Sequence, residues 1–172
     1  MQIPATQINA AGGGPTLITS TTLGAPAASI DLTSISAAYK HLWLMARLRT
    51  DSGSNDVGMR WNNDSGSNYW TINTLSASAS ATLFTVGYCS TSTAPADQFG
   101  TVQIWMPFYS ITGGKGHNAV WTGSTVGAIF TGTGSGLWNN NTAAINRITL
   151  FTNGGSNLVA GSTVELYGFG VA

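Results

Sequence analysis

The sequence predicts an all-β fold: a single jelly-roll-like β-sandwich behind a short extended N-terminal arm. Three observations predict it. Helix formers are scarce, since Glu165 is the only glutamate and Lys40 and Lys115 are the only lysines, while Ser and Thr abound; such a composition suits strands and turns rather than helices. Apolar residues recur with a period of two in the longest patterned segments, which is the signature of half-buried strands. Clusters of Asp, Ser, Gly and Asn punctuate the chain between short candidate strands, as in sandwiches and closed barrels.

Residues 1–15 form the arm. Pro4, the triplet Gly12–Gly14 and Pro15 make it an extended or flexible segment rather than a core strand. Within it, Ile3 and Ile8 are the apolar anchors available for docking on a neighbouring molecule. The sandwich domain occupies 16–172. Its first candidate strands are Thr16–Leu23 and Ser29–Thr33, followed by one possible helical turn at Ser34–Tyr39. In His41–Thr50, Leu42, Leu44, Ala46 and Leu48 face one way, and His41, Trp43, Met45, Arg47 and Arg49 face the other. Further candidates are Val57–Asn62, Tyr69–Leu75 and Thr82–Tyr88. Thr101–Tyr109 alternates again, with Val102, Ile104, Met106 and Phe108 opposed to Thr101, Gln103, Trp105 and Tyr109. Ala119–Thr122, Ala128–Thr131 and Asn146–Thr152 follow, and Thr163–Phe169 sets Val164 and Leu166 against Glu165 and Tyr167. The stretches DSGSND, NNDSGSN, STSTAPAD, TGGKGHN, TGTGSG and TNGGSN read as the turns between them. The expectation is a jelly roll of eight to ten strands.

Composition narrows the function. Six basic and six acidic residues cancel, and charged residues make up only 7% of the chain, against about 25% in an ordinary soluble domain. A basic nucleic-acid-binding surface is therefore not expected. With 42% hydrophobic residues, six Trp and six Phe, the chain has the material for a real core. Its surface must be coated mainly by Ser, Thr, Asn and Gly, which leaves little repulsion between copies. Self-assembly, most simply a homotrimer, is the expectation. Cys89 is the only cysteine, so no intrachain disulfide is possible, and its expected role is that of a small buried hydrophobe. The N-terminus lacks the basic start and apolar core of a signal peptide, and no stretch approaches the roughly 18 apolar residues of a membrane span. Synthesis in a cytoplasm without membrane insertion is expected.

No catalytic, cofactor or metal site is expected. His41 and His117 are the only histidines, no Gly-x-Ser-x-Gly elbow occurs, and no Cys or His spacing suggests zinc. A carboxylate pair such as Asp51 and Asp64 is the nearest approach to enzyme chemistry. GTGSG at 132–136 resembles a phosphate-binding run, but Leu137, Trp138 and three asparagines follow it instead of a helix. The pentapeptide DSGSN occurs at 51–55 and 64–68, where Asp51, Asn55, Asp56, Asn62 and Asp64 offer hard oxygens for calcium; the plainer reading is two tight turns. Asn63-Asp64-Ser65 and Asn140-Asn141-Thr142 match the glycosylation sequon, which without a secretory signal marks only exposed loops. Trp43, Trp105 and Tyr109, on the polar sides of their strands, are the candidate assembly contacts of the domain, because aromatic rings are enriched in interface cores. Rings of this kind also serve as platforms for sugars.

Three segments carry a resemblance: Ile35 to Leu42 (ISAAYKHL), Arg60 to Tyr69 (RWNNDSGSNY), and a closing set of Ser135-Gly136-Leu137-Trp138, Ile145 to Leu150 and Gly161 to Gly168. Together they resemble a widespread group of tailed-phage structural proteins, described as tail-fibre, minor tail or virion proteins. The resemblance spans roughly residues 16–170 and rests on turn and strand patterns. It implies a non-enzymatic protein of the virion surface, with a major capsid protein or a tail or baseplate protein as partner, and no catalytic residues. In larger relatives such a module sits at the end of a fibre or spike; with only a short arm ahead of the domain, a capsid decoration protein is the expectation. A tail-fibre or baseplate receptor-binding module recognising host glycans is the alternative.

Overall fold

In a computed structural model of the chain, residues 14–74, 77–140 and 142–171 are described. They form β1 (Thr16–Thr22), β2 (Ser29–Leu32), β3 (Tyr39–Leu48), β4 (Asp56–Trp61), β5 (Tyr69–Asn73), β6 (Ala77–Ala81), β7 (Phe84–Tyr88), β8 (Gly100–Pro107), β9 (Lys115–Thr125), β10 (Ala128–Trp138), β11 (Ile148–Thr152) and β12 (Thr163–Val171), with no helix among them. One sheet has eight strands in the order β1-β12-β3-β8-β9-β10-β5-β6, and a second has four in the order β2-β11-β4-β7. All the strand pairs are antiparallel.

The connectivity is that of a jelly roll. The chain folds back on itself so that β4 pairs with β7, β3 with β8, β2 with β11 and β1 with β12. Rolling this long hairpin places β1-β12-β3-β8 in one sheet and β2-β11-β4-β7 in the other. Two insertions, β5–β6 and β9–β10, then extend the first sheet beyond β8.

The core lies between the sheets, where the period-two pattern delivers one side of every strand. Leu42, Leu44, Leu48, Val102, Ile104, Met106, Val164 and Leu166 from the large sheet meet Ile30, Leu32, Val57, Met59, Trp61, Phe84, Val86, Ile148 and Leu150 from the small one, all fully or nearly fully buried. At about 25 cal/mol per Å2 of apolar surface, this burial is the main force closing the sandwich. Cys89 is buried as expected.

Several expectations need correction. TGTGSG is not a turn: residues 131–136 lie inside β10, which pairs with β9 over its whole length and with β5. Its glycines permit a close approach that side chains would block. A Cβ on Gly132 would lie 2.4 Å from the Trp121 ring, and one on Gly136 2.6 Å from the Phe84 ring. TGGKGHN is likewise only partly a turn, since Lys115, Gly116, His117 and Asn118 belong to β9. β6 was not expected, and twelve strands stand among the described residues where eight to ten were anticipated. Ser34–Tyr39 forms no helix: it is irregular through Ser36, turns at Ala37 and Ala38, and enters β3 at Tyr39, and Ser34 has a φ of 57°. The alternation assumed for Thr101–Tyr109 breaks at its end. β8 stops at Pro107, Phe108 takes a φ of 52°, and the parity inverts: Phe108 is exposed and Tyr109 is buried.

Candidate functional site

The two sheets differ on their outer sides. The outer side of the small sheet is polar and self-satisfied: Arg147 reaches Asp31 at 2.9 Å, Thr149 donates to the same carboxylate, and Arg60 lies over the Phe151 ring. These hydrogen bonds, with the neighbouring guanidinium, hold the Asp31 carboxyl below its usual range against the opposing effect of burial. The outer side of the large sheet carries an aromatic and apolar band beside a Thr-rich margin.

Strand register assembles that face. Leu17, Tyr167, Trp43, Trp105, Asn118, Ser135 and Ile72 stand directly opposite one another across seven strands from β1 to β5. Directly opposed residues of antiparallel strands share a side of the sheet. A second row places Phe169, His41 and Pro107 together. A third carries Glu165, Met45, Gln103, Val120 and Thr133, and a fourth Thr163, Arg47, Thr101, Thr122 and Thr131. The rings of the first two rows touch one another: Trp43 meets Tyr167 at 6.1 Å and Phe169 at 6.2 Å, and Trp105 meets Phe169 and His41 at 5.3 Å each. Among the nine most exposed large apolar side chains of the described residues, Leu17, Trp70, Ile72, Val120, Ile129 and Leu137 all lie on this face. Isolated exposed apolar residues are normal, whereas a contiguous patch of them marks an interaction surface.

Within these four rows, Arg47 and Glu165 are the charged side chains among the described residues, and each has close neighbours. Arg47 lies 3.8 Å above the Phe99 ring and donates to the carbonyls of Gly161 and Asp97. Glu165 accepts the Tyr167 hydroxyl proton at 2.7 Å, which pushes the tyrosine pKa upward. Between them lies a shallow groove of about 320 Å3, lined by Met45, Arg47, Thr101, Gln103, Thr163 and Glu165.

The expected contact residues are thus divided. Trp43 and Trp105 are side by side at the centre of the face, half-buried. Tyr109 is not on it: the ring is fully buried and its hydroxyl donates to the Ser36 carbonyl, so it is withdrawn as an assembly contact. Ile3 and Ile8 lie outside the described residues. The sequence reading missed the contributions of Tyr167, Phe169, Trp70, Ile72, Val120 and Leu137. The available signal was the coincidence of apolar residues on both parities of one strand, as in Tyr69-Trp70-Thr71-Ile72.

The remaining titratable groups do not converge. His41 accepts the Phe108 amide N–H at Nδ1 and packs against that ring. His117 is in the core against Phe84 and Trp61, neither imidazole nitrogen has a partner among the described residues, and burial pushes its pKa down to about 3. The DSGSN carboxylates are taken up by N–H donors rather than turned toward a shared centre. Asp51 accepts both the backbone and side-chain N–H of Asn157, and Asp64 accepts Gly66 N–H, Asn68 Nδ2–H and Trp138 Nε1–H. Among the described residues no three His, Cys, Asp or Glu side chains are grouped as metal ligands. No protein-family model, curated protein or solved structure matches the chain.

Proposed function

We propose that this chain is a surface structural protein of a tailed-phage particle, acting as a homotrimeric decoration protein that stabilises the capsid. The observation that carries the reading is the uncovered aromatic and apolar outer face of the large sheet, on a domain with almost no competing charge. The jelly-roll connectivity supports it, because that architecture recurs in viral coat domains. The mechanism is burial: a rigid sheet covers its neighbour, and a modest contact repeated around a shell gives large collective stability. The protein is made in the host cytoplasm and joins the major capsid protein there, without nucleic acid, membrane or cofactor. Quantitative mass spectrometry and cryo-EM of the parent particle test the proposal. Copies on the order of hundreds fit decoration of a repeating shell, and absence from the particle overturns the reading.

The groove beside Trp43 and Trp105 favours a second reading. Its lining, with Met45 between Glu165 and Gln103, has the apolar-plus-polar character of a small-ligand site. A tail-fibre or baseplate module binding host glycans would use it. A few to a few tens of copies, located on the tail, would decide for that reading.

A further inference from the structure

We infer that the outer face of the large sheet is a contact between copies of this chain, so that Trp43, Trp105, Val120, Leu137, Trp70 and Ile72 are covered by a neighbouring subunit. The inference rests on the assembly reading above and names the partner that the face takes.

Size is the first argument. Seven strands spaced about 4.8 Å apart span about 29 Å, and four outward rows about 7 Å apart, with their side chains, span about 25 Å. The face therefore offers roughly 700 Å2, close to the roughly 800 Å2 that each partner contributes to a stable interface. Chemistry is the second. A face meant for a strongly charged partner would present charge of one sign, but Arg47 and Glu165 carry opposite charges, and each is already held by neutral neighbours, Arg47 by Phe99 and two carbonyls and Glu165 by Tyr167. The partner that fits carries no strong net charge and meets an aromatic band with a Thr-rich margin, the mixed character of an ordinary protein interface. A second copy qualifies, because the chain has a formal net charge of +0 and so imposes no long-range repulsion on its own association. Rigidity is the third. The rings are fixed by strand register and by one another, so little side-chain freedom remains to be lost on contact.

The test uses the full-length chain and three measurements. Sedimentation equilibrium of the wild type should give a multiple of the 17.8 kDa monomer mass at micromolar concentration. The double variant Val120→Lys/Ile72→Lys adds two cations at exposed positions without touching the core; it should sediment as a monomer with an unchanged circular dichroism spectrum. Asn146→Lys, on an exposed loop before β11, should remain oligomeric. Should the double variant fail to fold, hydroxyl-radical footprinting of the wild type supplies the answer: oxidation of Trp70, Trp43 and Trp105 should fall several-fold between dilute and concentrated protein. A wild-type monomer at 100 micromolar overturns the inference, as does an oligomer that survives both lysines or shows no change in tryptophan oxidation. The virion reading fails separately. An oligomer formed through this face by a protein missing from the particle would leave the contact standing and remove the phage assignment.

Discussion

Acid should weaken this fold through one buried base. His117 is in the core of the large sheet's extension, 4.4 Å from the Phe84 ring centroid and 6.0 Å from that of Trp61, with both nitrogens unpartnered among the described residues. Charging it there means placing an imidazolium in apolar surroundings, so its pKa falls from 6.5 to about 3. The unfolded chain keeps the ordinary value and binds the proton first. Stability from this group is therefore complete above about pH 6.5 and is lost progressively as the pH falls toward 3. Each pH unit in that window removes up to about 1.4 kcal/mol, and the whole window removes on the order of 4 to 5 kcal/mol. That is comparable with the entire stability of a marginal domain, about 5 to 15 kcal/mol.

The assay is urea unfolding followed by tryptophan fluorescence at half-unit steps from pH 7 to pH 4. The carboxylates held below their usual range, Asp31 and Asp64, add acid lability mainly below about pH 4, and Asp56, raised by burial, acts in the opposite sense in wild type and variant alike, so the difference between the two proteins isolates the histidine. His117→Leu keeps the volume and removes the proton site. Between pH 6 and pH 4.5 the wild type should lose about 2 kcal/mol more than the variant. An equal slope in both proteins would refute the assignment of a neutral buried imidazole.

Three further outcomes are expected. Gly136→Val should destabilise by about 2 kcal/mol or more in urea titrations, despite the better strand propensity of valine, because its Cβ would lie 2.6 Å from the Phe84 ring. Asp64→Ala leaves the Trp138 Nε1–H and the Gly66 amide without their acceptor and should cost about 2 to 4 kcal/mol, read by thermal denaturation with a shift in tryptophan emission. Cys89 should not react with Ellman's reagent in the native protein at pH 8, since burial pushes its thiol up to about 12, and should release one equivalent once urea is added.

How much of this was legible in the sequence depends on whether a feature is local or long-range. The alternation of His41–Thr50 assigned the side chains of β3 from His41 to Leu48 to their sides, because the period of two is a property of one strand alone. The same rule failed at Tyr109, where a single positive φ at Phe108 inverted the parity that composition could not show. β10 was misread because its Gly-rich run has two physical causes: glycine permits tight turns, and it also permits a bulky ring to lie on a strand. Here the ring of Trp121 against Gly132 decides for the second, and Trp121 is eleven residues away in sequence on the paired strand. The face was half legible. Trp43 and Trp105 stood out singly, but their alignment with Tyr167, Ile72 and Leu17 is created by pairing between segments as far apart as 17 and 167, which no local pattern encodes.

The two insertions explain why the proposed contact lies on one sheet and not the other. The jelly-roll framework alone pairs four strands with four, and its β1-β12-β3-β8 sheet would present a strip about 15 Å wide between its outer strands. Adding β9, β10 and β5 to the free edge at β8 doubles that width to about 29 Å. It also brings Val120, Leu137, Trp70 and Ile72 into the same plane as Trp105. The inner side of the added strands is closed by the rings of Trp121, Trp138, Tyr69 and Phe84, packed with Trp61 of the small sheet. The glycines at 132 and 136 let those rings approach the backbone. The aromatic residues of this chain therefore serve both sides of one extension: inside, they support a sheet that the four-stranded partner does not fully cover, and outside, they coat the surface that the extension creates. Removing the support by filling Gly136 should distort the outer face as well as the core. Gly136→Val should then weaken self-association together with stability, whereas Val120→Lys/Ile72→Lys should weaken self-association alone.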